Sequence, residues 1–440
     1  MKKVDLTKGN VVNVLTTLAV PIMASSLLQF TYNIVDMLWV GRLGSNAVAS
    51  IGSSSFFIGL GYAINSLVVI GTGIKVSHAL GKNDNKEARE YVNSGILINI
   101  IIGLLYSLSL ILLGKVFISF LIINNLIVEI NSYRYLLLNS PTMFFTFFNL
   151  LYTRIFNSYG NNRDALKITA IGIIVNIVLD PIFIYTLNFE VQGAAIATLI
   201  SQLIMLILFK IKSNGILKYD FKLGYKYEKL ITIIKLGFPM AFQRVLFTIV
   251  NIILAKIIAI YGSDAIAAQK IGLQIESITY MVIGGLNGAI SSFTGQNFGA
   301  KKIERIKEGY NKALIIGFVY SFITAIIFIF FNLSIINLFI KEKNTVDIVS
   351  SYLKIIAFSQ VFSTVEMVSN GLFTGIGKPR IPSIISIIFT ILRIPMALIL
   401  IIYFNLKGIW ISIAVSSILK GVTSYVIYLI TFGKRYGNVK

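Results

Sequence analysis

"LAVPIMASSLLQFTYNIVDMLWVGRLGSNAVAS", residues 18–50, lies without a gap over "LGFPMAFQRVLFTIVNIILAKIIAIYGSDAIAA", residues 236–268. The displacement is 218 positions: Pro21 falls on Pro239, Asn33 on Asn251, Gly44 on Gly262 and Ser45 on Ser263. It persists downstream, with Tyr62 on Tyr280 and Gly81 on Gly299. Further on, "NSYGNNRDALKI" echoes "FTGIGKPRIPSI" one residue out of register. The chain is therefore an internal repeat, and what one repeat contains sets the architecture.

Each repeat contains six apolar segments near the ~20 residues that span a bilayer. The twelve run over 14–39, 48–74, 91–113, 129–153, 164–186, 191–211, 231–257, 265–293, 310–332, 348–372, 382–404 and 407–431. Backbone groups in hydrocarbon must bond within their own segment, so the spans are helices. Six is an even number, so equivalent helices point the same way and the repeats are parallel, related by an axis along the membrane normal. The reading is an all-α integral membrane protein. It comprises a six-helix bundle over 1–211, a linker over 212–230 and a second bundle over 231–440, facing each other across a cleft.

Composition agrees. Only 13% of residues are charged, about half the share of a soluble protein. The formal net charge of +21 is read as basic membrane-flanking loops and not as a nucleic-acid surface. Lys75, Lys82, Lys86 and Arg89 share one connection, Lys218, Lys222 and Lys226 another, and Lys301, Lys302 and Arg305 a third. Intervening connections carry little more than Arg42 and Glu190. One side collects about 27 basic residues and the other about 9, which places both termini in the cytoplasm by the positive-inside rule. The absence of cysteine excludes disulfides, zinc clusters and thiol catalysis. His78 stands in a loop-like stretch and reads as a surface residue. The first apolar stretch outruns a signal peptide and lacks a small-residue cleavage site. No Walker sequence is present, so ATP is not the expected energy source.

The two repeats are not chemically equal. Asp36 stands where the second repeat has Leu254, and Asp180 in "VNIVLDPIFIY" where the second repeat is apolar near Ile394. A carboxylate at bilayer depth costs roughly 2.5–3.5 kcal/mol on insertion scales, which makes an intramembrane acid a functional candidate. Asp180 lies about six residues, or roughly 9 Å, below the outer end of its helix. Tyr135, Thr198 and Asp36 fall at similar depths on three other helices, and Asn176 lies one turn below Asp180 on the same face. Pro181 has no N–H, so the carbonyl of Ile177 loses its helical partner. Oxygen-only ligands suit a hard cation such as sodium, or a shared proton. The alternative is a structural hydrogen-bond knot around Asp180. Glu276, Glu366, Arg244 and Arg393 form a second set, which either pairs up to hold the C-terminal bundle or lines a substrate path. The "MFFTFFNL" stretch reads as packing or a lipid face ahead of a drug-binding face. Gly71, Gly73, Gly284, Gly285 and Gly288 read as sites of close helix packing ahead of a phosphate loop.

Several stretches together resemble the multidrug and toxic compound extrusion (MATE) transporters over the whole length. They are "VDMLWVGRLG", "HALGKNDNKEAR", "QNFGAKKIERI", "NSYGNNRD", "NIVLDPIFIY", "GAAIATLISQ" and "RIPMALIL". "NIVLDPIFIY" with "GAAIAT" is similar to the DinF-like and archaeal branch. The resemblance implies that Asp36, Asn176, Asp180 and Thr198, with Tyr135 beside them, bind the coupling cation. The acids of the NorM-type branch have no clear match: the helix 7 position is apolar here, and Glu366 only approximates the helix 10 one. The resemblance further implies a monomeric antiporter of the plasma (inner) membrane. Such a protein exchanges sodium or protons for organic, often cationic, drugs, without a cofactor and without enzymatic activity. A lipid-precursor flippase of the related superfamily is the first alternative, although its basic cleft is not matched by the acids of the first bundle. An intramembrane aspartyl protease is remote, since Asp180 follows "IVL" and not Gly-x-Gly.

Overall fold

The computed structural model describes residues 5–121 and 125–434. The terminal residues 1–4 and 435–440, which the charge rule assigns to the cytoplasm, lie outside the described residues. The first half contains α1 (Val11–Gly41), α2 (Ser45–Gly81), α3 (Asn85–Ser119), α4 (Leu126–Ser158), α5 (Asn162–Pro181) with a π-helical continuation (Ile182–Thr186), and α6 (Glu190–Lys212). The second contains α7 (Tyr227–Ala259), α8 (Ser263–Gly299), α9 (Ile303–Phe330), the short α10 (Asn332–Ile336), α11 (Lys343–Ala357), α12 (Gln360–Gly375), α13 (Arg380–Phe404) and α14 (Leu406–Lys434). Among the described residues there is no strand.

The repeat is visible in the backbone. The boundaries Gly41, Ser45, Gly81 and Asn85 recur at Ala259, Ser263, Gly299 and Ile303, always 218 positions on. Gly44 and Gly262 precede α2 and α8 with φ of 102° and 94°, a conformation that glycine adopts without a Cβ penalty. Asn83 and Lys301 repeat a left-handed turn at φ 59° and 58°. Later, Asn188 and Asn405 share a positive φ, 54° and 50°, one residue out of register.

Among the described residues, nine helices are individually long and apolar enough to cross a membrane. α11 and α12, bent by 55° at a short break, make a tenth crossing. α4 and α8, of 33 and 37 residues, have the length but bury polar stripes, such as Ser132, Asn139 and Thr142 on α4. The total is twelve spans. The break, where the sequence reads one continuous helix over 348–372, has a local cause. Ser359 directs both its N–H (2.9 Å) and its hydroxyl (2.8 Å) at the Ile356 carbonyl, diverting it from the helical ladder.

Packing divides the chain differently from the linear boundaries at 211 and 231. One compact unit holds Ala24–Ala241, and the other holds Asp5–Met23 together with the chain from Phe242 onward. α1 and α7 therefore each contribute to both units. Both divisions fall two residues after a proline, Pro21 and Pro239, where the missing N–H weakens the helix.

Glycines permit the contacts that follow. In the first unit a Cβ on Gly71 would lie 2.2 Å from the Ile233 carbonyl oxygen, and one on Gly237 would lie 1.8 Å from that of Leu67. In the second unit a Cβ on Gly285 would meet Met23 Cγ at 2.4 Å. Gly73 is filled by the Arg154 side chain, whereas Gly284 and Gly288 have ordinary room. The "MFFTFFNL" stretch packs in the first unit, with Phe147 and Phe148 buried. The linker is tied to α3. Asn93 donates to the carbonyls of Asp220 (2.8 Å) and Gly224 (2.9 Å), while Glu90 receives Lys226 at 2.9 Å and also Lys229.

Candidate functional site

Asp180 is completely buried at the end of α5. It sits there because its helix does not stop at Pro181 but widens. Leu187 N–H reaches the Ile182 carbonyl at 2.9 Å, a π-type bond, and Phe189 N–H reaches Phe183 at 3.0 Å. Such widenings are rare and recur at functional sites. α6 presses against this turn at Gly193, where a Cβ would lie 2.6 Å from the Phe183 carbonyl carbon. Tyr185 donates from its hydroxyl to the Trp39 carbonyl, tying the π segment to α1. Trp39 and Tyr185 also meet edge to face at 6.1 Å, and Arg42 lies over the Trp39 ring at 5.0 Å.

Asn176 links the acid to the next helix. In the amide orientation that suits both neighbours, it donates to Asp180 Oδ2 at 3.1 Å and accepts from the Thr198 N–H at 3.1 Å. The Thr198 hydroxyl donates to the Ala194 carbonyl at 2.9 Å, which leaves its lone pairs facing the site. Tyr32 of α1 approaches that hydroxyl at 3.4 Å. Tyr135 is buried in the same layer, packed with Val40, Ala47, Ile184, Ala194 and Ala195. Its own carbonyl is held by Asn139 at 2.9 Å. Asp36 lies one turn from Tyr32 on α1, which brings the acids of α1 and α5 to the two sides of the Tyr32–Thr198 contact. Oδ1 of Asp36 and Oδ1 of Asp180 are both buried without a hydrogen-bond partner among the described residues.

All five residues singled out in the sequence, Asp36, Tyr135, Asn176, Asp180 and Thr198, thus meet in one layer of the first unit. Sequence reading missed Tyr32. It lies four residues before Asp36, one turn away on the same helical face, and that spacing was the available signal. Among the described residues, groups of three or more His, Cys, Asp or Glu that could hold a metal are absent. A cation here would rest on two carboxylates supplemented by neutral oxygens. Two buried carboxylate oxygens lacking donors fit a cation or a shared proton better than a completed hydrogen-bond knot.

In the second set Glu366 meets a lysine and not an arginine. Glu366 lies 4.0 Å from Lys420, a buried lysine that also donates to Thr390 (2.8 Å) and Ser386 (3.2 Å). Glu276 accepts from the Tyr352 hydroxyl at 2.6 Å. Arg393 donates to Ser416 (2.5 Å) and Ser417 (3.4 Å), with its charge within reach of Glu276. Arg244 is exposed. Lys420 was not anticipated. It stands within an apolar span, and Ser386 and Thr390 of α13 accept the hydrogen bonds of its buried ammonium.

The sequence model of the family described as MatE matches twice, over residues 21–182 and 239–399, the same repeat met above. The chain belongs to the MatE family. Among MATE relatives it is similar to "Probable multidrug resistance protein YpnP" of Bacillus subtilis (strain 168), 25% identical, covering 100% of this chain and 98% of that one. It is also similar to "Probable multidrug resistance protein NorM" of Thermotoga maritima, 25% identical over 94% of this chain and 91% of the other. A solved structure titled "Outward-facing conformation of a multidrug resistance MATE family transporter of the MOP superfamily" superposes with a TM-score of 0.91. It is 22% identical and covers 98% of both chains. As a MATE protein, the chain is a multi-pass membrane transporter and not an enzyme.

Proposed function

We propose that the protein is a secondary active efflux antiporter of the DinF-like MATE branch, which exports organic, often cationic, compounds in exchange for sodium ions or protons. The observation that carries this reading is the pair of buried, partnerless carboxylate oxygens on Asp36 and Asp180, in one layer with the polar side chains of Asn176, Thr198, Tyr135 and Tyr32. A charged acid at this depth is tolerated when a cation compensates it. Loading the site from outside removes that penalty and favours the state from which drug leaves. Emptying it to the cytoplasm restores the state that accepts the next organic cation. Differential occupancy of two states is all that such coupling requires.

Sodium is the favoured ion. A proton needs a carboxyl and one partner, whereas a hard metal ion needs several oxygens in place of its water shell. The names of the relatives support multidrug substrates. The basic loops support a plasma-membrane orientation with both termini in the cytoplasm.

The test is drug efflux from proteoliposomes with sodium and pH gradients imposed separately. Efflux that follows the sodium gradient at fixed pH is expected. Asp36→Asn and Asp180→Asn, which keep size and remove charge, each abolish it at equal expression. Full coupled export by either variant refutes the assignment.

A further inference from the structure

A cavity of about 670 Å³ opens at the other end of the first unit, beneath the chain that follows α6. Thr198 and Lys210 are twelve residues apart on α6, which puts the cavity roughly 18 Å along the helix from the cation site. Its volume falls within the ~300–1,000 Å³ range of small-molecule sites. Its walls are apolar: Ile96 and Ile100 from α3, Phe144 and Phe148 from α4, and Leu206 from α6. Its mouth carries Lys210 and Lys218, both exposed, and no acid belongs to the lining. Nearby Asp220 is already engaged by Arg89 (3.4 Å) and by the Lys222 N–H (3.0 Å).

Two further observations identify the occupant. Exposed Leu104, Leu203 and Ile207 lie within one helical turn of the lining residues Ile100 and Leu206, and such residues face hydrocarbon in a membrane-spanning bundle. The cations stand where α6 ends and the basic linker begins, the level of lipid headgroups. An apolar trough open to the bilayer under a pair of ammonium groups has the shape and charge of a lipid with an anionic head. A basic pocket between helices at the basic end of a membrane protein selects such headgroups.

We propose that this cavity binds one anionic phospholipid, its phosphate held between Lys210 and Lys218 and an acyl chain laid along Ile100, Phe144 and Leu206. The bound lipid braces the turn at 213–219 against the bundle, since Leu217 and Tyr219 from that turn close the cavity.

Native mass spectrometry of the full chain in detergent tests this, with dioleoyl phosphatidylglycerol and dioleoyl phosphatidylcholine added in turn. One phosphatidylglycerol is expected to stay bound where phosphatidylcholine is lost. The double variant Lys210→Gln and Lys218→Gln is expected to weaken it about 10- to 30-fold, the weight of two basic side chains at an anionic surface. Both lysines are exposed, so the fold is kept, as an unchanged melting midpoint without lipid will confirm. Ile100→Trp, which fills the trough and leaves the charges, is expected to reduce binding as well. Glycerol 3-phosphate, the head without the chain, is expected not to compete. Equal retention of the two lipids, undiminished binding by the double variant, or displacement by glycerol 3-phosphate would each overturn the proposal.

Discussion

Asn176→Leu tests the cation site with least disturbance to its acids. The substitution keeps the bulk between α5 and α6 and removes two polar atoms. One donates to Asp180 Oδ2 at 3.1 Å, and the other accepts from Thr198 N–H at 3.1 Å. Asp180 Oδ1 already lacks a partner, so a fully buried carboxylate is left without a side-chain donor. A hydrogen bond to a charged group contributes about 1.5–3 kcal/mol. If the amide supports the cation-loaded form, losing it raises the sodium concentration for half-maximal efflux about 10- to 150-fold, at about 1.4 kcal/mol per decade. The assay is drug efflux from proteoliposomes at fixed pH across a sodium series, with variant and wild type matched for reconstituted protein. The maximal rate at saturating sodium is expected to survive, because both acids remain. A half-saturation concentration within twofold of wild type refutes the claim that Asn176 serves the cation. Loss of transport at every sodium concentration, with normal size-exclusion behaviour, refutes the claim that its role is confined to loading.

Thr198→Val removes a hydroxyl whose contact to Tyr32 is long, 3.4 Å, so a smaller rise of about 2- to 10-fold is expected in the same sodium titration. Gly237→Ala drives a methyl group to 1.8 Å from the Leu67 carbonyl oxygen, and its melting midpoint in detergent is expected to fall by the equivalent of about 1–3 kcal/mol. Gly288→Ala meets only the Ile22 side chain at 3.4 Å; it is expected to hold or raise the midpoint, since alanine favours helix by about 1 kcal/mol. Cysteines introduced as Lys218→Cys and Asn188→Cys are to be labelled on intact cells with an impermeant thiol reagent. Label at 188 and none at 218 is expected, and the reverse pattern inverts the orientation.

The repeat was legible because aligned glycines and prolines mark backbone events, and backbone events recur with the fold. Gly44 and Gly262 share a conformation that few other residues tolerate. The layer of Asp36, Tyr135, Asn176, Asp180 and Thr198 was legible because rise per residue converts position into depth, and polar atoms in lipid need partners. Depth says nothing about azimuth beyond one helix, which is why Tyr32 went unnoticed although it reaches Thr198. The widening after Pro181 was also hidden. A proline announces a lost hydrogen bond but not whether the chain bends, stops or expands, and here contacts with Gly193 and Trp39 accompany expansion. The break at Ser359 depends on one hydroxyl choosing a carbonyl over solvent, a choice that hydropathy does not register. The pairing of Glu366 with Lys420 needed three dimensions, because the two are 54 positions apart and no local pattern joins them.

The exchange of helix segments between the units has a consequence for biosynthesis. Residues 5–23 are made well ahead of their packing partners, which belong to the second unit and include Gly285. At about 5–20 residues per second, some 15 to 50 s separate Met23 from its neighbour on α8. Through that interval residues 5–23 lack these partners, while Ala24–Ala241, the first unit, is being made. That unit cannot be closed until 227–241 has emerged, and the second is completed only when residues 5–23 pack against it. A segment made early is thus buried late, and a nascent chain stalled before α8 would leave residues 5–23 without their packing partners.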